Sequence, residues 1–242
     1  MIFYPKTMEQ IDDLQYNGLR IIQKSGAFRY GTDGVLLANY AADKVKESPL
    51  WRRGKPVKFL DIGTGTGIVP ILLCGKMDAD AGRAAYEAVE IQPDMAEMAE
   101  RSIKMNGQDG QITVTVGNIL EVPYAKASFD VITMNPPYIR ADSGIKSDIS
   151  GVAKARHEIV CTQEDMIKRA GELLKSGGML IMIDKSDRLT DALCAMREAG
   201  TEPRELVMVE PKKGAAPSLF LVTGIRGGGK NLRIAETIVI GG

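Results

Sequence analysis

Histidine occurs once in this chain and cysteine three times, at Cys74, Cys161 and Cys194, with no C-x-x-C pair among them. That scarcity excludes a zinc-ligand spacing and a disulfide framework, so no metal is expected and the thiols are read as reduced core residues. The single histidine, His157, sits in a polar stretch with no evident partner, which makes it a poor candidate for a general base. No apolar run approaches the roughly 20 residues of a membrane-spanning helix, and no membrane partner is expected. Residues 1–10 are broken by Pro5, Lys6 and Glu9, unlike the apolar core of a secretory signal, so the expected compartment is the cytoplasm. Net charge is also lacking, because 31 basic residues balance 31 acidic ones. No overall field draws the chain to a polyanion, and such contact has to use local groups such as Arg226, Lys230 and Arg233.

What is present suits one large domain with small additions: 242 residues, 44% hydrophobic and 26% charged. An Asn17-Gly18 pair between short apolar runs predicts a hairpin with a type I′ turn over 14–24. A helix capped near Thr32 or Asp33 follows, then a basic connection over 48–56. From Val57 onward, strand-length apolar runs alternate with helical spacing. Strands are expected over 57–62, 84–91, 111–116, 129–134 and 179–183. Helices are expected from Ile68, over 93–105, from Met166 to Lys175 and over 187–200. A hairpin pairing 206–210 with 218–223 comes next, then a flexible glycine-rich link over 225–230 and a short strand over 236–240. The division read from this pattern is an N-terminal hairpin extension over 1–32 and one α/β domain over 33–242. Such alternation implies a mainly parallel sheet, helices on both faces and ligands at the carboxyl ends of the strands.

Two stretches at those ends carry chemistry. The first is Asp61-Ile62-Gly63-Thr64-Gly65-Thr66-Gly67, a strand, glycine turn and helix start. Glycines let the backbone approach a ligand, and the helix N-terminus presents unpaired amides. The spacing D-x-G-x-G-x-G brings the last glycine one residue nearer than in the dinucleotide fingerprint. Asp61 moreover repels phosphate and favours a cation such as an amino acid's ammonium, which argues against a nicotinamide or flavin cofactor. Glu90 ends the next strand, where a carboxylate accepts ribose hydroxyls, and Asn118 follows the third strand with an amide able to read an adenine edge.

The second stretch is Asn135-Pro136-Pro137-Tyr138, which leaves the fourth strand. Its prolines hold the backbone extended. The Asn135 side-chain oxygen and the Pro136 carbonyl can then accept two protons of one amino group while Tyr138 stacks on the flat system that carries it. A polar stretch over 139–155 reads as a mobile loop over the cleft, with Lys154 and Arg156 beside it as candidate phosphate contacts.

The glycine turn, the acidic second-strand end and the N-P-P-Y shelf, in that order, resemble class I S-adenosylmethionine-dependent methyltransferases. The resemblance implies a Rossmann-like fold with a mainly parallel seven-stranded sheet, helices on both faces and a C-terminal antiparallel hairpin. It places S-adenosyl-L-methionine against Thr32, Asp33, Asp61, Gly63, Gly65, Gly67, Glu90, Ile91, Asn118, Ile119 and Asn135. Catalysis falls to Asn135, Pro136, Pro137 and Tyr138, and substrate contact to Tyr138, Lys154 and Arg156.

The segments Phe28-Arg29-Tyr30-Gly31-Thr32-Asp33, Ala155-Arg156-His157-Glu158 and Lys212-Lys213-Gly214 are similar to the tRNA adenine-N6 branch, which implies a tRNA or other RNA substrate. Asn118 departs from that pattern, since many relatives place Asp there. Methylation of a protein glutamine, of guanine N2, and silent binding of RNA or cofactor stay open as alternatives.

Overall fold

The computed structural model describes residues 9–24, 32–77, 82–136 and 161–241. Pro137, Tyr138, Lys154, Arg156, His157, the loop expected over 139–155 and the 28–31 segment lie outside them.

The chain opens on a hairpin, β1 (Glu9–Asp13) and β2 (Arg20–Lys24). Asn17 and Gly18 both take positive φ, and the Leu19 amide donates to the Tyr16 carbonyl, which is the expected type I′ turn. The first strand starts upstream of the expected boundary because pairing runs from Glu9↔Lys24 to Asp13↔Arg20. Helix α1 (Thr32–Glu47) follows, and a short helix α2 (Pro49–Arg52) stands where a solvated basic loop was expected. Ser48 caps α2, and Trp51 is buried with the Arg83 guanidinium over its ring. Burial of that indole outweighs the basic residues around it.

Strand β3 (Val57–Ile62) leads into α3 (Ile68–Met77), β4 (Ala84–Glu90) into α4 (Pro93–Met105), and β5 (Ile112–Val116) is followed by β6 (Phe129–Met134). After α5 (Gln163–Leu173) come β7 (Leu174–Lys185), α6 (Leu189–Glu198), β8 (Thr201–Lys212) and β9 (Leu219–Arg226), and the chain ends on β10 (Arg233–Ile234) and β11 (Ile238–Gly241). The strand order is β10-β8-β9-β7-β6-β3-β4-β5, with β11 also paired to β8. Strands β3 to β7 are parallel, while β9 runs antiparallel to both β7 and β8. Seven of the expected strands form the body of the sheet; the short last strand, expected over 236–240 and found as β11, and the two-residue β10 widen it to nine. The 225–230 segment is tied down rather than loose: the Gly227 amide donates to Gly200, the Gly228 amide to Ile225, and Arg204 to the Gly229 carbonyl.

Alternation along the strands divides the core. Val131 and Ile181 pack towards α1 and α3, whereas Ile132, Met134, Leu180 and Met182 pack towards α5 and α6. Of the cysteines only Cys74 is buried; Cys194 lies exposed on α6, a correction to the core reading of all three.

The element that positions the site is the order of β6, β3 and β4. From β3 the chain winds outward through β4 and β5, then returns to the other side of β3 as β6. Helix α3, after β3, packs on one face of the sheet, and α5, the next described helix after β6, packs on the other, so the carboxyl ends of β3 and β6 form a topological switch point, where folds of this type bind ligands in a crevice.

Candidate active site

Asp61, near the end of β3, pairs in register with Thr133 of β6. The Thr133 hydroxyl donates to Asp61 Oδ1 at 2.6 Å. Burial pushes the Asp61 carboxyl up to about 7, because the charged form loses water; the hydroxyls of Thr133 and Thr64 oppose the rise, and the nearby Glu90 charge adds to it. A cation beside it would favour the charged form and reverse that rise.

The glycine turn that follows takes left-handed φ at Gly63 (+72°), Gly65 (+59°) and Gly67 (+91°), which side chains with a Cβ rarely adopt. Glu90, buried at the end of β4, pins the turn: its Oε2 accepts the Gly65 amide at 2.8 Å and its Oε1 accepts the Gln92 amide at 2.9 Å. A second close approach sets the far wall. A Cβ on Gly34 would stand 2.8 Å from Ile68 Cγ2, so α1 crosses the start of α3 nearly backbone to side chain, with Thr32 and Asp33 at its first turn.

Beyond β4, Ile91 is 54% exposed, and Val116 and Leu120 are also exposed at 51% and 39%, an apolar rim where the strands β4 and β5 end. Asn118 uses its side-chain oxygen to accept the Leu120 amide at 3.1 Å, which leaves its amide nitrogen as the group to meet a ring nitrogen. An aspartate would accept the same amide but could not donate. Ile119 is buried, and Arg169 of α5 holds its carbonyl and that of Val122 at 3.3 and 3.1 Å. On the other side of β3, the pairing Ile62↔Met134, continued by one residue, brings Asn135 alongside Gly63. Asn135 is half-buried and Pro136 buried.

Pattern reading named Asp61, the glycines, Glu90 and Asn135 for this crevice, and the fold gathers them at neighbouring strand ends. It missed Thr133, Met95, Met166 and Arg169. Met95 and Met166 each place a Cε 3.8 Å from where a Cβ on Gly65 and Gly63 would stand. No motif marks Thr133; its opposition to Asp61 arises only when β6 docks on β3.

S-adenosylmethionine, the cofactor that the resemblance implies, fits these residues. Among the described residues, a Cβ at Gly63 or Gly65 would meet only the methionine methyls, so the glycines leave a cradle with soft thioether walls. A buried carboxylate faces the place for an ammonium, a pinned carboxylate retains lone pairs for ribose hydroxyls, and the apolar rim suits an adenine.

The comparisons agree. A family model described as a methyltransferase domain matches residues 54–219. A tRNA1(Val) (adenine(37)-N6)-methyltransferase of Porphyromonas gingivalis is 32% identical over 212 residues, covering 84% of this chain and 78% of that one. The enzyme of the same name from Bacteroides thetaiotaomicron is 30% identical and covers 86% and 81%. Among solved structures, a predicted O-methyltransferase from Agrobacterium tumefaciens superposes with a TM-score of 0.62 at 22% identity, over 86% of this chain and 87% of that one, a likeness of fold. Sheet order, glycine turn and these matches together make the chain an S-adenosylmethionine-dependent methyltransferase that belongs to the family of the bacterial tRNA1(Val) (adenine(37)-N6)-methyltransferases.

Proposed function

We propose that this enzyme methylates the N6 amino group of adenine in tRNA, and that Asn135 and the Pro136 carbonyl are the acceptors that orient this nitrogen. The observation that supports the reading most is the β3–β6 register, which sets the Asn135 shelf one residue beyond the pair Ile62↔Met134 and hence beside the glycine cradle. The names of the relatives supply the substrate class.

Bound S-adenosylmethionine supplies an electrophilic methyl group on a positively charged sulfur. This chain's residues do the positioning. Asp61 and the α3 amide ends hold the amino-acid portion, with Thr32 and Asp33 at the opposite wall; Glu90 takes the ribose; Ile91, Ile119 and the Asn118 amide bound the adenine. The exocyclic nitrogen of the target base is a weak nucleophile, since its lone pair is delocalised into the ring. When Asn135 Oδ1 and the Pro136 carbonyl each accept a hydrogen bond from one of its N–H groups, that pair is directed out of the ring plane; on transfer the new N–C bond replaces the S–C bond, which leaves a neutral thioether, and the nitrogen releases one proton to water. The target base has to leave its stack to reach the crevice, and Tyr138, the last residue of the shelf, is assigned to receive it. Lys154 and Arg156 are assigned to the flanking phosphates.

Tritiated S-adenosylmethionine and bulk tRNA test this directly. Wild-type enzyme is expected to yield N6-methyladenosine after nuclease digestion. Asn135→Ala should bind cofactor as before and lose at least about a hundredfold in turnover, the scale for removing one polar group aimed at the reacting centre. Unchanged turnover in that variant overturns the role of Asn135. Label on guanine N2 or on protein glutamine instead overturns the substrate class.

A further inference from the structure

At the opposite end of the sheet, where β7 and β8 begin and β9 ends, the molecule carries a cavity of about 620 Å³. This is within the range of small-ligand sites. Lys44, Arg53, Arg204 and Arg233 line it together with two carboxylates, Glu47 and Glu205. Both acids have partners already. Glu205 accepts the Tyr40 hydroxyl at 3.0 Å, pairs with Lys44 at 3.0 Å and is gripped by Arg233, while Glu47 pairs with Lys44 at 2.9 Å. Burial keeps Tyr40 protonated, and the Thr223 hydroxyl donates to it at 3.1 Å, so no further negative charge arises there. Four cations against two carboxylates leave two positive charges in excess. Arg204 also acts on the Glu202 carboxylate, which lies outside the lining and is paired with Arg197; one terminal nitrogen of Arg204 donates to the Gly229 carbonyl at 3.1 Å, but its Nε is buried with no hydrogen-bond partner among the described residues. Arg53 adds a guanidinium from the turn after α2.

A buried, unsatisfied guanidinium N–H beside a doubly positive cavity matches a ligand with two negative charges and several acceptor oxygens. A carboxylate or an internal phosphodiester brings one charge, and a terminal phosphoryl group brings nearly two. We propose that this cavity is a second ligand site, remote from the methyl-transfer crevice, that binds a terminal phosphoryl group between Arg204 and Arg53. Planar guanidinium forks hold such a group in two-point fashion, which a lysine does not reproduce.

Calorimetry of the full chain with its crevice saturated by S-adenosylmethionine tests this, using inorganic phosphate and adenosine 5′-monophosphate at fixed ionic strength. Saturable binding is expected, weakened at least about tenfold in each of Arg204→Gln and Arg53→Gln. Arg53 is exposed, so its variant decides the matter if Arg204→Gln fails to fold. Equal affinity for the two probes assigns the site to free phosphate, and tighter binding of the monophosphate assigns it to a nucleotide. No saturable binding of either probe, an affinity unchanged in Arg53→Gln, or equal binding of a short oligoribonucleotide without a terminal phosphate overturns the proposal. Both variants should bind S-adenosylmethionine and methylate tRNA as wild type does, so a failure here is distinct from a failure of the methyl-transfer reading.

Discussion

Asp61 is the residue whose chemistry depends most on what binds beside it. An acid that titrates near 7 in the folded chain keeps a proton that the unfolded chain, with an ordinary aspartate, releases near pH 4. Between those values the native state binds more protons, so this group makes stability fall as pH rises. Asp61→Asn removes that titration. In cofactor-free denaturant melts, the variant should lose this decline between pH 4 and 7 and gain up to about 4 kcal/mol over wild type above it. Its affinity for S-adenosylmethionine should drop at the same time, because an amide offers no charge to an ammonium. A variant that matched wild type at both pH 4.5 and pH 8 would show that burial does not raise this carboxyl. Thr133 acts on the same oxygen at 2.6 Å, so its hydroxyl sets how far the carboxyl rises.

Among the elements, α1 and α3 show how closely the crevice wall depends on one missing methyl. Gly34 lets α1 cross at the start of α3, and a Cβ there would overlap Ile68, which is itself buried. Gly34→Ala should cost about 1–3 kcal/mol by overpacking and push the first turn of α1, with Thr32 and Asp33, away from the glycine turn. Thermal melts with and without cofactor check this: the variant should show a smaller cofactor-induced rise in Tm than wild type. At the other wall, α5 begins with a reciprocal cap in which Thr162 accepts the Asp165 amide and Asp165 accepts the Thr162 amide. That cap sets where α5 starts and so where Arg169 meets the Ile119 loop, and Thr162→Ala should lower stability by about 1 kcal/mol in urea titration.

At the scale of the whole molecule, the two last strands close an edge. Strand β8 is twelve residues long, and without β10 and β11 one side of it would present unpaired amides and carbonyls. Ala235 donates to the Leu206 carbonyl at 2.8 Å, and Arg233 reaches Glu205 across the same seam. A chain truncated after Arg226 should aggregate at lower concentration than the full chain in light scattering, with a lowered Tm; unchanged solution behaviour would show that the β8 edge needs no cover.

Much of this was legible in the sequence, since local physics decides it. Strand, turn and helix at 57–73 follow from an apolar run, three glycines at φ-demanding positions and a second apolar run, and Pro93 starts α4 where its missing amide costs nothing. Side-chain chemistry alone marked Asp61, Glu90 and Asn135 as candidate groups. Tertiary structure decided what those groups face. Thr133 opposes Asp61, Met95 and Met166 line the cradle, and Arg169 holds the Ile119 loop because strands distant in sequence come into register and helices pack across them. The four basic residues of the second cavity lie from Lys44 to Arg233 along the chain and meet only after β8 and β9 have folded back. Spacing along a chain encodes short-range conformation; the environment that shifts a carboxyl, or leaves one guanidinium N–H without a hydrogen-bond partner among the described residues, is set by burial, and burial is a property of the assembled sheet.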